Sequence, residues 1–222
     1  MRLVASGRSD HEAIAMHMKE RGLVAFRHVV QSLADVPDEE WELFARQVRN
    51  RVFETHDLLI RAGEPVTDFF FLVSGFVRFF YLTGDGKEFN KAFAQENQFV
   101  GSFGAEVLKQ PCRFSVQALE RTEAMVIPVQ VIRDGYDRHH SWERVGRMMA
   151  ERVAVSKEIR EGEFLLDSAE TRYRRFLANY PSLADRISQY HVASYLGITD
   201  VALSRIRKKI GLTAASAKLI RD

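Results

Sequence analysis

The residues best suited to chemistry lie near the carboxyl end of the chain, in a short basic segment. Four cations fall within five positions: Arg205, Arg207, Lys208 and Lys209. Lysine and arginine neutralise phosphate oxygens, and the planar fork of arginine also matches the O6 and N7 acceptors of guanine. The segment therefore predicts a polyanionic partner, with nucleic acid as the first candidate.

The distribution of charge along the chain supports this prediction. The net charge of the 222 residues is only +2, but residues 171–222 hold ten Lys and Arg against three Asp and Glu, whereas residues 1–170 are net acidic. A basic terminal domain on a mildly acidic body favours a polyanion partner. From charge alone, a solvated cationic face without a partner is the alternative.

The twenty residues that begin at Gln189 carry the pattern of two short helices joined by a tight turn. Five apolar residues occupy the positions that would pack the helices together: Val192, Leu196, Ile198, Leu203 and Ile206. Ala193 is small where the helices would cross, Gly197 tolerates a left-handed turn, and Thr199 can cap the second helix. The pattern predicts a helix-turn-helix unit, and a packed helix pair without DNA contacts is the alternative.

In such a unit the second helix enters the major groove and its exposed face meets the base edges. We expect Arg205 to bind a guanine, Val201 to contact a thymine methyl group, and Ser204 to contact a base or a phosphate. We expect His191 to be a surface or packing residue. The expected DNA-binding residues are Gln189, Tyr190, Thr199, Asp200, Val201, Ser204, Arg205, Arg207, Lys208 and Lys209.

The residues that precede this unit must position it, and their amino-acid composition changes along the chain. Residues 1–50 are predicted to be helical. Residues 52–132 are rich in Phe, Val, Thr and Gly, and eleven of the sixteen phenylalanines lie between Phe69 and Phe114. This composition predicts several short antiparallel strands in a β-roll or sandwich, with a hairpin at Thr83–Lys87.

Residues 138–166 predict one long helix with a narrow apolar stripe. Its residues recur three and four apart, which is the spacing of a coiled-coil seam. The predicted dimer interface is Val145, Met148, Arg152, Val155, Ile159 and Leu166. A stripe of this kind is suited to the same helix of a second subunit, and packing on the chain's own β-domain is the alternative. Residues 167–170 resemble a capping box that begins a new helix.

Several classes of protein are disfavoured by what the sequence lacks. One cysteine, Cys112, excludes an intrachain disulfide and any Cys-based zinc or iron–sulfur cluster within one chain. The seven histidines form no i, i+4 pair, and the common nucleophile and phosphate-loop motifs are absent, so we expect no enzyme and no metal site. The segment 1–20 has no apolar block and the longest apolar run is Phe69–Val73, which predicts a cytoplasmic protein without a membrane partner.

The order of these parts resembles the cyclic-AMP receptor protein/fumarate-nitrate regulator (Crp/Fnr) family of bacterial transcription factors. The resemblance extends over residues 30–211 and depends on four sequence motifs taken together. These motifs are Gly63-Glu64, the Phe71–Val77 segment, Phe99-Val100-Gly101 and the Gln189–Ile206 unit.

The resemblance implies an α+β fold with three parts. These are an N-terminal antiparallel β-roll of the cyclic-nucleotide-binding jelly-roll type with flanking helices (residues 1–137), a long dimerisation helix (138–167), and a C-terminal helix-turn-helix domain (168–222). It also implies a homodimer, a two-fold symmetric site on double-stranded DNA, and altered recruitment of RNA polymerase. An effector in the β-roll would swing the DNA-binding domains about a hinge near Asp167.

The chain departs from the family where cyclic nucleotides bind. The family positions for a ribose-binding Glu and a phosphate-binding Arg are occupied here by Ser102 and Cys112, and Arg113 lies one residue too late. A slip of one residue along a strand turns a side chain to the opposite face, so we expect no tight cyclic-nucleotide binding and no other cofactor. An iron–sulfur cluster is not expected because the N-terminal cysteine cluster of the oxygen-sensing members is absent. Among the residues of the second helix, only Arg205 matches the family's usual base-reading set, since Asp200 and Val201 depart from it.

Two interpretations of the β-roll interior stay possible. It contains a pocket for an unidentified small molecule, or it is a filled core that needs no ligand. The candidate pocket residues are Gly101, Ser102, Phe103, Gly104, Cys112, Arg113 and Ser156. Ser156 occupies the position of a family hydroxyl that reaches a bound base. Two other functions are alternatives to DNA binding. One is a ligand-binding β-roll that signals through protein partners without DNA, and the other is a cupin-like metal enzyme.

Overall fold

A computed structural model of the chain describes residues 6–182 and 186–211, with side chains at Met16 and from residue 19 onward. The predicted C-terminal domain extends to residue 222, so its residues 183–185 and 212–222, with Lys218 and Arg221 of the basic count, lie outside the described residues. The described residues form two compact units. The first runs to Phe79 and from Phe93 to Arg152, and the second contains Phe80–Ala92 and the residues from Val153 onward. The predicted division into three parts stays a prediction.

Eight strands and eight helices make up the described residues. The strands are β1 (Arg49–Phe53), β2 (Leu58–Ile60), β3 (Asp68–Ser74), β4 (Val77–Leu82), β5 (Glu88–Ala94), β6 (Phe99–Val100), β7 (Ser115–Ala118) and β8 (Thr122–Pro128). The helices are α1 (Ser6–Gln31), α2 (Asp38–Gln47), α3 (Phe103–Leu108), α4 (Val129–Arg138), α5 (His140–Leu166), α6 (Ala169–Asn179), α7 (Gln189–Leu196) and α8 (Asp200–Lys209). The strands form two four-stranded sheets, with the orders β1-β8-β3-β6 and β2-β7-β4-β5.

The antiparallel β-fold predicted for residues 52–132 is confirmed, with three differences. Helix α3 interrupts the strands and was not predicted. Helix α4 begins at Val129, inside the segment predicted as strands, and the long helix begins at His140 rather than at residue 138. The short helices were missed because six to ten residues are too few to show a helical repeat of apolar positions against the aromatic background.

Strand β3 is the centre of the first sheet and is apolar on both faces. Phe70 pairs with Val126 and Phe71 with Met125, and all four residues are buried. Phe71 lies under helix α1, where its ring is 5.1 Å from that of Phe26. Since helices cover one face of the strand and the roll covers the other, the strand is a continuous apolar run without polar alternation.

The helices of the first unit close the core over this sheet. Phe26 of α1, Phe44 of α2 and Trp142 of α5 form one aromatic cluster, in which the Phe44 and Trp142 rings are 5.1 Å apart. Val145 is buried in the same core and Met148 packs against it. The beginning of α5 is therefore held inside the chain's own core.

The predicted hairpin at Thr83–Lys87 is confirmed between β4 and β5. The Thr83 N–H donates to the Lys87 carbonyl at 3.0 Å, and Gly86 adopts a φ of 82°. The predicted helix start after Asp167 is confirmed as well, because the Ser168 hydroxyl accepts a hydrogen bond from the Thr171 N–H at 3.1 Å. Both features depend on contacts within a few residues, which a sequence can reveal.

We expect Gly75→Ala to destabilise the first unit by at least about 2 kcal/mol, because φ is 81° at Gly75 and a Cβ atom would lie 2.7 Å from the Arg121 carbonyl oxygen. Gly84→Ala is the matched control, since it has open space and no positive φ. Urea unfolding followed by circular dichroism measures both variants. Equal midpoints for the two would contradict the role assigned to Gly75.

Candidate functional site

The tight turn between α7 and α8 has the geometry that the sequence predicts. Gly197 adopts a φ of 68°, and its N–H donates to the carbonyls of Ala193 and Ser194, which ends α7. The Ile198 N–H also donates to the Ala193 carbonyl, at 3.1 Å. Thr199 then begins α8, since its hydroxyl accepts from the Ala202 N–H at 3.2 Å. A left-handed glycine followed at once by a capping hydroxyl reverses the chain within three residues.

The predicted packing positions face inward. Val192, Leu196 and Leu203 are buried, and Ile198 and Ile206 are half-buried. Helix α6 supplies the other wall of this small core with Tyr173 and Phe176, whose rings lie 6.3 Å apart. The three helices therefore share one core within the second unit, and the opposite face of α8 is left to solvent.

That solvent face carries the residues expected to read DNA bases. Asp200, Val201, Ser204 and Arg205 are all exposed, and Val201 has 62% of its surface accessible. Arg205 and Lys208 make no side-chain hydrogen bond or ion pair with any described residue. On α7, Gln189 and Tyr190 are exposed too, and Thr199 lies exposed at the turn. Helix α8, whose amino end is capped, therefore presents the unpaired hydrogen-bond donors of Arg205 and Lys208 on its solvent side.

Two of the predicted phosphate-binding cations are instead held by partners within the chain. Arg207 donates to the Tyr173 hydroxyl at 2.8 Å, and Lys209 donates to Glu170 at 2.7 Å. Arg174 reaches the same carboxylate at 3.0 Å. The hydrogen bonds from Lys209 and then Arg174 hold the pKa of Glu170 below its usual value. The basic segment thus divides into residues that hold α8 against α6 and residues that face outward.

His191 has a packing role, as expected. Its ring Nδ1 lies 3.2 Å from the Asn90 amide nitrogen, and its carbonyl accepts from the same amide at 3.0 Å. Ser194, one turn further along α7, accepts from the Asn90 N–H at 2.9 Å. Residues 88–90 of the hairpin therefore cover one side of α7.

Two arginines that sequence reasoning missed hold the end of α5 to the bihelical unit. Arg160 donates to the Tyr195 carbonyl at 2.7 Å, and its guanidinium lies 3.7 Å from the centre of the Tyr195 ring. Burial lowers the pKa of Arg160. Arg172 donates to the carbonyls of Asp167 and Leu196 at 2.7 and 3.1 Å. Tyr195 lies 35 residues from Arg160 and Leu196 lies 24 residues from Arg172, so no local sequence signal marks these two contacts.

The candidate pocket residues of the first unit are mostly engaged in local structure. Ser102 is buried and its hydroxyl caps α3 by accepting from the Ala105 N–H at 3.4 Å. A Cβ atom at Gly101 would overlap the Phe69 ring, and the Phe103 ring lies 5.4 Å from that same ring. Gly104 is exposed on α3. These residues shape a tight turn and a short helix.

The remaining candidates each have their own surroundings. Cys112 is buried, and its backbone pairs with Gly63 and Glu64 at 2.7 and 2.9 Å. Arg113 is exposed. Ser156 is exposed on α5 and its hydroxyl donates to the Val153 carbonyl at 2.9 Å. The structure thus assigns local structural contacts to Cys112 and Ser156.

A buried polar pair inside the β-roll was not predicted. Arg78 on β4 is only 4% exposed, and its Nε and Nη2 atoms donate to the Gln117 Oε1 atom at 2.9 and 2.7 Å. Gln117 on β7 donates in turn to the His56 carbonyl at 3.0 Å. The signal available in the sequence was a single arginine among the apolar residues of β4, but its partner lies 39 residues away.

Over residues 6–182 and 186–211, no group of three or more His, Cys, Asp or Glu side chains is arranged to hold a metal ion. Over the same residues, none of the helices combines the length and the apolar character needed to cross a membrane.

We expect Leu203→Ala to lower the free energy of unfolding of the second unit by about 2–5 kcal/mol, because Leu203 is 0% exposed and its removal leaves a cavity between α7 and α8. Val201→Ala on the exposed face of the same helix should change stability by less than about 0.5 kcal/mol. Hydrogen exchange of the α7 and α8 amides in the full chain measures both. Similar exchange in the two variants would show that α8 does not depend on this core.

Comparison with known proteins finds a matching domain and a similar bacterial protein. Residues 50–139 match the family model described as the cyclic nucleotide-binding domain. Over 186 residues the chain is 27% identical to the transcriptional activator protein anr of Pseudomonas aeruginosa, a match that covers 77% of this chain and 75% of that protein.

Solved structures with the same fold include two bacterial proteins. FixK2 of Bradyrhizobium japonicum matches with a TM-score of 0.64 and 17% identity, over 74% of this chain and 84% of that one. The c-di-GMP-responsive global regulator CLP of Xanthomonas campestris matches with a TM-score of 0.63 and 16% identity, over 79% and 92%. The domain match and the anr relative agree with the sequence motifs, so the resemblance of the chain to the Crp/Fnr family is confirmed.

Proposed function

We propose that the protein is a homodimeric, sequence-specific DNA-binding regulator of transcription, in which α7 and α8 form a helix-turn-helix. The observation that carries this proposal is the exposed face of α8, where Arg205 and Lys208 lie without partners among the described residues, beside exposed Val201 and Ser204. A helix that buries its apolar side in a core and exposes a cationic face is suited to the major groove. The anr relative is a transcriptional activator protein, which supports the same function.

The DNA-binding role proposed for each residue of α8 follows from the contacts of its side chain. Arg205 has a guanidinium that can bind a guanine through two hydrogen bonds. Lys208 lies one turn further on and suits a phosphate, as do exposed Gln189, Tyr190 and Thr199 at the start of each helix. Asp200 and Val201 offer a carboxylate acceptor and a methyl contact, which give the site its own base preference.

Arg207 and Lys209 contribute differently. Arg207 is fixed by the Tyr173 hydroxyl, so it positions α8 and adds positive potential to the surface. The pair between Lys209 and Glu170 is exposed, and exposed ion pairs stabilise a protein by little. Lys209 can therefore exchange Glu170 for a phosphate when DNA approaches.

The subunits are proposed to pair along the second half of α5. Val155, Ile159 and Leu166 are exposed, Ile159 at 56% and Leu166 at 86%. Arg152 is exposed at the start of this half. Val145 and Met148, which were expected in the same interface, already pack in the core of their own chain. An apolar stripe of this exposure on a single helix is covered best by its symmetry mate.

A homodimer of this kind requires a matching operator. Two copies of α8 related by a two-fold axis would contact two half-sites about 34 Å apart, one turn of the double helix. The operator is therefore expected to be an inverted repeat on double-stranded DNA. Contact with RNA polymerase is proposed from the resemblance to the Crp/Fnr family.

No tight binding of a cyclic nucleotide is proposed. The hydroxyl of Ser102 is used to cap α3, and buried Cys112 offers no charge for a phosphate. No iron–sulfur cluster or other cofactor is proposed, and the protein is not proposed to be an enzyme.

Binding of the purified full chain to a fragmented genomic DNA pool tests the function. Recovered fragments should share an inverted repeat, and affinity should fall steeply with salt, since each neutralised phosphate contributes about 0.9 to the slope of log K against log salt. No duplex binding at low salt would overturn the proposal and favour a β-roll that acts through protein partners.

Arg205→Ala should weaken binding to the recovered operator by about 1–3 kcal/mol and relax the base preference at one position of each half-site. Lys208→Ala is the matched control: it should weaken operator and random DNA alike and lower the salt slope by about 1. Fluorescence anisotropy on both DNAs measures this. Equal losses on operator and random DNA for Arg205→Ala would show that Arg205 touches only the backbone.

Ile159→Glu should convert dimers to monomers, because it places a charge in the centre of the proposed subunit interface. Ala150→Glu, nine residues and two and a half turns away, lies exposed on the opposite side of α5 and should leave the dimer intact. Sedimentation equilibrium measures both. A wild-type chain that is monomeric at micromolar concentration, or a dimeric Ile159→Glu variant, would contradict the interface.

A further inference from the structure

A cavity of about 130 Å³ lies in the first unit, between the first sheet and the surrounding helices. Its walls are unusually aromatic, with six rings from helices α1, α2, α3 and α5 and strands β3 and β6. The rings are those of Phe26, Phe44, Phe69, Phe99, Phe103 and Trp142. Aliphatic side chains from β8, α4 and α5 complete the walls, including Ile132 and Met149. Exposed Val107 on α3 and Tyr136 on α4 mark its mouth.

The charged groups at this cavity already have partners. Glu106 accepts from Arg133 at 2.6 Å and from Lys109 at 2.7 Å. Arg138 pairs with Glu40 at 3.2 Å. A charged ligand would have to break one of these pairs, which costs more than an equivalent contact gains when the groups are half-buried. The walls therefore favour a neutral molecule.

One polar group at the mouth remains available. The Tyr136 hydroxyl has no hydrogen bond to any of the residues that the structure describes, and it lies against Gly146, where a Cβ atom would overlap it. Burial, and then the charge of Glu106, raise the pKa of Tyr136 above its usual value, which already lies well above neutral pH, so the hydroxyl is protonated. It can donate one hydrogen bond to a ligand in the cavity.

The size of the cavity limits the ligand further. An engineered apolar cavity of about 150 Å³ stays dry and accepts benzene. We propose that this cavity is an effector site for a neutral molecule with a single aromatic ring, whose one polar group accepts a hydrogen bond from Tyr136. Phenol has this chemistry, and toluene has the ring without the acceptor.

The position of the cavity provides a route from ligand to helix α5. Four consecutive inward positions of α5 line it: Trp142, Val145, Gly146 and Met149. A ligand that fills the space would therefore fix the rotation and position of the beginning of α5. The effect on DNA depends on the proposed function, whereas ligand binding does not.

Binding can be followed at the two tryptophans of the chain, Trp41 and Trp142, of which only Trp142 lines the cavity. The full-length protein is labelled with 5-fluorotryptophan and titrated with phenol and with toluene. A saturable ¹⁹F shift, larger for Trp142 than for Trp41, is expected with both compounds. No saturable shift up to the solubility limit of toluene would overturn the proposal.

Three variants locate the ligand. Ile132→Phe fills the cavity and should weaken both compounds at least tenfold, whereas Leu43→Phe adds the same ring to the exposed side of α2 and should change neither. Tyr136→Phe keeps the ring and should weaken phenol about fivefold while leaving toluene unchanged. It keeps the test decisive if Ile132→Phe fails to fold. Equal effects of Tyr136→Phe on both compounds would overturn the assigned hydrogen bond.

The effector role is tested on the recovered operator. Saturating phenol should change the DNA affinity of the wild-type protein at least threefold and leave that of Ile132→Phe unchanged. Binding of phenol without a change in DNA affinity would overturn the effector role. Because the ¹⁹F titration needs no DNA, a chain that binds phenol but no duplex would refute the proposed function alone.

Discussion

The burial of Trp142 and Val145 at the beginning of α5 is the constraint on which the functional geometry depends. These side chains join the aromatic core over the first sheet, so they fix which side of the helix faces inward. Residues 151–159 of the same helix are all exposed, and the exposed apolar side chains of its second half include Val155, Ile159 and Leu166. This helix of 27 residues thus serves an internal core first and a proposed subunit interface later.

The bihelical unit was predictable because its determinants are local. The glycine turn, the Thr199 cap and the spacing of Val192, Leu196 and Leu203 all lie within twelve consecutive residues, where the chain's own periodicity reveals them. The same locality explains the hairpin at Thr83–Lys87 and the helix start at Ser168. Helix α3 escaped prediction because Ser102, its cap, stood in a segment whose aromatic residues favour strands.

Side-chain partners were not predictable where the chain brings distant residues together. The sequence shows the cations of α8 but cannot show that Glu170, 39 residues before Lys209, neutralises one of them. Arg160 beneath Tyr195 and Arg78 against Gln117 are likewise products of tertiary structure. Composition therefore predicts the class of partner for a basic segment, and only the fold separates cations that support α8 from cations left for DNA.

The location of the cavity, outside the β-roll interior, bears on how a ligand could act. A ligand shifts a conformational equilibrium only by the difference between its affinities for the two states. Ser102 caps α3, and Cys112 is buried and offers no charge, so they offer a ligand little that could differ between states. The aromatic cavity instead has walls on separate elements, α1, α4 and α5 among them, whose relative movement would change its volume. A tenfold preference of the ligand for one arrangement corresponds to about 1.4 kcal/mol, which the burial of about two additional methylene groups can supply.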